Sequence, residues 1–143
     1  MLKIFLVIWF AMIATSFWEA YVEGKHPWDD GKLGWKIRYK KHTLLTAYHF
    51  WLFWVTFPAL LLLPMILGGF SWELFGIIVS AYGTGLILED FFWFVVNPVF
   101  RLSHFNSRYV KWYPWLKIGK FEIPAAYPVA LMISLISWYF LWR

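Results

Sequence analysis

Few side chains in this sequence can do chemistry, and their spacing is regular. Glu19 and Glu23 stand four apart. His42, Thr46 and His49 recur at steps of four and three, Glu89 and Asp90 are adjacent, and Asn97 follows Asp90 by seven. On helices these intervals put Glu19 with Glu23, His42 with Thr46 and His49, and Asp90 with Asn97 on common faces. Two carboxylates at i,i+4 on one helix, histidines at i,i+7 on a second and a carboxylate on a third can surround one or two ions in a bundle core. Oxygen and imidazole donors favour Fe, Mn or Zn. The candidate metal ligands are therefore Glu19, Glu23, His42, His49 and Glu89. The same groups can also do metal-free acid–base work, with a proton held on one carboxyl passing to an alkene or lipid carbonyl while another group accepts one. The candidate catalytic set is Glu19, His49, Glu89 and Asp90, with Asn97 orienting. A structural reading stands beside both: buried acids pairing with Lys41, Arg38, Arg101 or a histidine would fix how helices pack.

Other polar residues have plainer readings. Glu23, His26 and His104 are expected at headgroup level, solvated or ion-paired, and His42 opens a helix as a cap or phosphate contact. Glu73 suits the positive end of a helix dipole, and Asp29-Asp30 in HPWDDG reads as a turn. Lys40, Lys41, Arg101 and Arg108 form the candidate set for an anionic substrate headgroup.

The elements that must position these groups follow from composition. Of 143 residues 62% are hydrophobic and 15% charged, with 12 Trp, 15 Phe and 8 Tyr; a soluble domain has roughly 45–50% apolar and about 25% charged residues. Rings in that number suit the two water interfaces of a bilayer. With no cysteine, disulfides and thiolate metal sites are excluded. A net charge of +5 would suggest nucleic acid in a soluble chain, but here the basic residues lie between apolar runs, which points to loops beside anionic lipid and not to nucleic acid.

Four apolar stretches approach the ~20 helical residues that a ~30 Å hydrocarbon layer requires: about 2–21, 43–67, 70–96 and 124–142. Their length favours helices over barrel strands of about 10 alternating residues. The fold class read from sequence is thus an all-α integral membrane protein, a single four-transmembrane-helix bundle. Gly68-Gly69 turns between the second and third spans, Asn97-Pro98 ends the third, and Pro58 and Pro64 kink the second. No repeat between the halves is evident. The Lys3-led run to Ala14 is shaped like the start of a signal peptide, but Phe17 and Trp18 make a poor cleavage site, so it reads as a retained first span. Segments 24–42 and 101–120 hold eleven of the 13 Lys and Arg residues. By the positive-inside rule both loops are cytoplasmic and both termini face outward. The expected setting is a prokaryotic plasma membrane. Counted from that boundary, Glu19, His49, Glu89 and Asp90 fall at one depth.

The tract LILEDFFWFVVNPVF, residues 86–100, resembles the paired-acid, aromatic-rich helix of the small membrane carotenoid (lycopene) cyclases. The resemblance covers about one tenth of the chain, and it implies a fold in which intramembrane acids protonate an isoprenoid. It departs in one respect: Gly85 to Leu88 precede the acids here, where the family has a proline. The leading function is a small membrane-embedded enzyme acting on a lipid or isoprenoid-like substrate. The alternative is a non-catalytic accessory or assembly subunit of a larger membrane complex. Expected partners are membrane lipids, with other membrane subunits or a homo-oligomer under the second reading. Haem or quinone binding through His42, His49 or His104 is disfavoured, because histidines at i,i+7 on one helix cannot ligate both faces of a haem.

Overall fold

The computed structural model describes residues 1–143. It is mostly helical. Helix α1 spans Leu2–Glu23, α2 Ala47–Gly68, α3 Trp72–Val96 and α4 Ala126–Trp142. The first three are long and apolar enough to cross a membrane, while α4 is apolar but has 17 residues. The 24–42 loop carries a hairpin of β1 (Lys36–Tyr39) and β2 (His42–Thr46), and the 101–120 loop opens into a second of β3 (Trp115–Ile118) and β4 (Phe121–Pro124). Both are antiparallel with two-residue turns, where Lys40 (φ 53°) and Gly119 (φ 60°) take the left-handed backbone that such turns require.

The hairpins correct the purely helical expectation, and β2 moves the start of the second span from residue 43 to Ala47. The cause is local. The Thr46 side chain accepts the backbone N–H of His49 as an N-cap, so the helix begins after it, and the Ala47 N–H still closes the hairpin on the Trp35 carbonyl at 2.9 Å. His42 therefore lies on a strand and shares no helical face with His49. The second hairpin ends the same way, with the Ala125 N–H on the Pro114 carbonyl at 2.9 Å. Each half of the chain thus repeats one plan: apolar helix, basic loop with hairpin, an alanine closing it, a tyrosine (Tyr48 or Tyr127) within two residues, apolar helix. The sequence reading found no such repeat, because backbone pairing carries it rather than matched side chains.

The two loops meet at one end of the bundle. The His42 ring hydrogen-bonds the Lys111 carbonyl at 3.1 Å, and the Trp28 and Tyr113 rings meet edge to face at 6.3 Å. Helix α3 is the hub. Gly76 and Gly83 lie where a Cβ would strike Leu141 and Ser134 of α4, and Gly85 where one would strike Met12 of α1. Small residues allow this close approach, and hydrogen bonds across it hold apolar helices together without a hydrophobic driving force. Ser80 donates to the Ser134 carbonyl at 2.9 Å and Ser137 to the Gly76 carbonyl at 3.0 Å.

Helix α2 is the least packed of the three long helices. Its turns from Phe50 to Thr56 are π-helical, with the Phe57 N–H reaching back five residues to the Leu52 carbonyl. The next bond in that pattern would run from residue 58 to the Phe53 carbonyl, but Pro58 has no N–H to give. Tyr82 of α3 supplies the missing donor: its hydroxyl reaches the Phe53 carbonyl at 2.5 Å.

Replacing that donor by Tyr82→Phe should leave a carbonyl unsatisfied in an apolar layer, at a cost of about 1–3 kcal/mol. The denaturant midpoint in detergent should fall accordingly, while Tyr21→Phe at an exposed ring leaves it in place. An unchanged midpoint in Tyr82→Phe would mean that another group serves the carbonyl.

Candidate metal centre

Glu19 and Glu23 occupy the last two turns of α1 and His49 the first turn of α2, and all three are buried. One ligand atom from each lies within 4.8 Å of the others. His49 Nε2 is 3.8 Å from Glu23 Oε1 and 4.0 Å from Glu19 Oε1. Around a tetrahedral ion with bonds of about 2.0–2.2 Å, ligand atoms lie roughly 3–3.5 Å apart. The three donors are therefore more widely spread than a bound ion would hold them and would have to draw inward, but the group could bind a metal.

The surroundings of His49 suit that role. Its Nδ1 lies 2.6 Å from Thr46 Oγ1. With the proton on Nδ1 donated to the threonine, the Nε2 lone pair faces the two carboxyls, and such a bond from the far ring nitrogen is what orients metal-binding histidines. The same Thr46 oxygen caps the helix, so the residue that starts α2 also fixes the imidazole. The Trp28 ring lies 4.1 Å from the imidazole, and Tyr48 and Phe53 complete an aromatic wall. Trp28 is held there by its Nε1, which donates to the Thr43 carbonyl at 2.6 Å. Thr43 in turn donates to Asp29 at 2.7 Å, and Arg38 lies 3.6 Å from that carboxylate. The Asp29-Asp30 turn thus folds the loop over the site.

Glu89 of α3 is buried with its carboxyl against that of Glu19. Glu19 Oε1, Glu89 Oε1 and the Tyr48 hydroxyl have no hydrogen-bond partner. One cation reaches the group: Lys32, whose Nζ is 2.8 Å from Glu23 Oε1 with both side chains largely buried. Three carboxylates against one ammonium leave an excess of two negative charges beside a histidine. A charge at this depth is costly unless paired, so the layer must hold protons or a cation.

The remaining expected site residues lie elsewhere. Asp90 turns to the other half of the chain and accepts from the Tyr127 hydroxyl at 2.6 Å and from Tyr113 at 3.5 Å. Burial and the adjacent Asp90 carboxyl hold the Tyr113 hydroxyl well above its ordinary pKa, so it serves only as a donor. Asn97 is taken up by backbone: its Oδ1 accepts from Val99 and Phe100 N–H at 2.8 and 2.9 Å, and its Nδ2 donates to the Gly24 carbonyl at 3.3 Å. His42 bonds the Lys111 carbonyl, away from the other candidate ligands, and His104 stacks on Tyr109 at 4.5 Å. Lys40, Lys41, Arg101 and Arg108 are all exposed and none pairs with an acid; Lys40 and Arg108 lie over the neighbouring rings of Tyr39 and Tyr109. Sequence reasoning placed Thr46 on the histidine face without giving it a role, and left Trp28 and Lys32 out of the site. The first had a signal, a threonine three residues before a histidine at a helix start. Lys32 had a weaker one, glycines at 31 and 34 with left-handed backbone (φ 66° and 93°) on either side of it.

No family model, curated protein or solved structure matches this chain.

The basic loop on the other half is closed by Glu122. Its carboxylate accepts the Ser107 N–H at 2.7 Å and hydroxyl at 2.9 Å and lies 3.0 Å from Lys117 Nζ. The Ser107 backbone bond first, then Lys117 and the Ser107 hydroxyl, hold its pKa down at about 2 against an ordinary 4.5. A lowered folded-state value means that the clasp stabilises the loop above the ordinary value and is lost as pH falls toward the lowered one. The Ser107 amide resonance should therefore titrate with a midpoint near 2, and Glu122→Gln should abolish that titration. A midpoint near 4.5 would mean that the clasp does not form.

Proposed function

We propose that this chain is a small membrane-embedded enzyme acting on a lipid or isoprenoid-like substrate at a divalent Fe, Mn or Zn ion held by Glu19, Glu23 and His49. The supporting observation is the convergence of three buried donors from two helices, with a further carboxyl, Glu89, against Glu19 and its Oε1 without a partner. A bound ion would supply Lewis-acid polarisation of a substrate oxygen. Glu89 is placed to give or take the proton, and Thr46 to hold the imidazole. The basic loops would face the cytoplasm by the positive-inside rule, with the termini outside and the site in the cytoplasmic half of the bilayer. Lys40, Lys41, Arg101 and Arg108 would then draw an anionic headgroup toward the surface.

A second reading, a non-catalytic subunit of a larger membrane complex, draws support from the sparse packing of α2. Native purification separates the two, since a subunit would leave the membrane in fixed ratio with other proteins.

Elemental analysis of protein purified in detergent without chelator tests the metal. About one divalent ion per chain is expected, with Glu19→Gln, Glu23→Gln and His49→Ala each losing it while remaining monodisperse. His42→Ala should keep it, and Thr46→Val should weaken it by about 10–100-fold. Equal metal content in all variants would overturn the site. Turnover is read by mass spectrometry of a membrane polar-lipid extract incubated with wild type and with Glu89→Gln; an extract unchanged by metal-loaded wild type would count against the enzyme.

A further inference from the structure

The aromatic wall of the metal centre continues into an apolar groove between α2 and α3. The groove encloses about 220 Å³, and nine of its ten lining residues are hydrophobic. Its α2 wall includes Phe53, Pro58 and Leu62, and its α3 wall includes Phe75, Val79 and Leu86. Phe53 belongs to both places: it lines the groove, and its ring stacks with the His49 imidazole at 6.2 Å and 14°. On α3, Leu86 precedes Glu89 by three residues, so the upper end of the groove lies one helical turn below the carboxyls.

We infer that this groove binds the single hydrocarbon chain of a membrane lipid whose polar head lies at the Glu19–Glu23–His49 centre. The inference rests on the proposed lipid-directed reading of that centre. Three features favour this occupant. The one hydroxyl on the lining, that of Tyr82, is already spent on the Phe53 carbonyl, and almost none of the groove's surface is polar, which suits a hydrocarbon. Its length, from Phe53 to Leu62 on α2 and from Phe75 to Leu86 on α3, is about 15 Å at 1.5 Å per residue. That is half of the ~30 Å hydrocarbon layer, the reach of a chain from one leaflet. And α2, sparsely packed against the bundle, leaves the groove open sideways to the bilayer, so a chain can enter without crossing water.

The test uses the full-length protein in nanodiscs of phosphatidylcholine doped with a fatty alcohol that carries a diazirine midway along its chain. After irradiation, labelled peptides are mapped, and bound metal is measured in the same samples. Labelling should concentrate on the 53–62 and 75–86 segments and fall about tenfold or more when Val79→Phe or Leu62→Phe fills the groove. Two positions on different helices keep the result interpretable should one variant misfold. Metal content should be the same in wild type and both variants. Labelling spread evenly over the exposed faces of α1 and α4, or undiminished in both variants, would show ordinary annular lipid and overturn the inference. Loss of metal in Glu19→Gln with groove labelling intact would leave the chain site standing and separate it from the head site. Groove labelling in a wild-type protein that never binds metal would overturn the proposed metal centre and leave the chain site standing.

Discussion

Three buried carboxyls share one layer with one lysine, and much of the surrounding structure answers to that imbalance. Between apolar helices an unpaired carboxylate is not a stable state. Glu19, Glu23 and Glu89 therefore need protons, the Lys32 ammonium or a metal. The loop from Gly24 to Lys41 supplies the ammonium and covers the imidazole. Asp29 ties Thr43 to the Trp28 turn, Trp28 covers the imidazole, and Lys32 reaches in to Glu23 from between two left-handed glycines. Lys32 Nζ lies 2.8 Å from Glu23 Oε1, so the loop itself supplies the one ammonium that reaches the cluster.

Much of this was legible in the sequence. The long apolar helices follow from run length and composition, and the shared depth of Glu19, His49 and Glu89 follows from counting turns inward from the charged loops. What the sequence could not show is non-local. His42 through Thr46 continues the apolar run of α2 and fits a helix as well as a strand; pairing with 36–39 decides the matter, and that pairing takes His42 out of the ligand set. Lys32 is one of six basic residues in its loop, and no spacing rule distinguishes it from Lys41 or Arg38, the partners expected for the acids. Asn97 could be placed on the face of Asp90 from its interval, but the proline after it bends the chain and gives its amide to backbone.

The repeated helix–hairpin–helix plan places the candidate site in context. In the first half the tyrosine after the hairpin, Tyr48, lies close to Glu19; in the second, Tyr127 donates to Asp90. The halves differ around the same closeness of acid and tyrosine. The first has a second carboxyl at Glu23 and an imidazole at His49. The second has Tyr113, and its acid accepts from two tyrosine hydroxyls. Unpartnered oxygens occur in the first half's cluster and at Glu89, while Asp90 is satisfied.

The adjacent acids of α3 belong one to each half. Consecutive residues on a helix point about 100° apart, from 3.6 residues per turn, so Glu89 and Asp90 cannot both face one neighbour. Glu89 takes the α1 side, where Gly85 one turn earlier lets Met12 close in and brings the Glu19 carboxyl within reach. Asp90 takes the other side and is held by tyrosines from the 101–120 loop and α4. A paired-acid motif that suggests two carboxyls acting on one substrate is resolved here into two environments on opposite flanks of the hub helix. One acid, Glu89, lies against Glu19 with its Oε1 unsatisfied. The other is fixed in place, and by anchoring the second loop to α3 it holds the end of the bundle on which the first site is built.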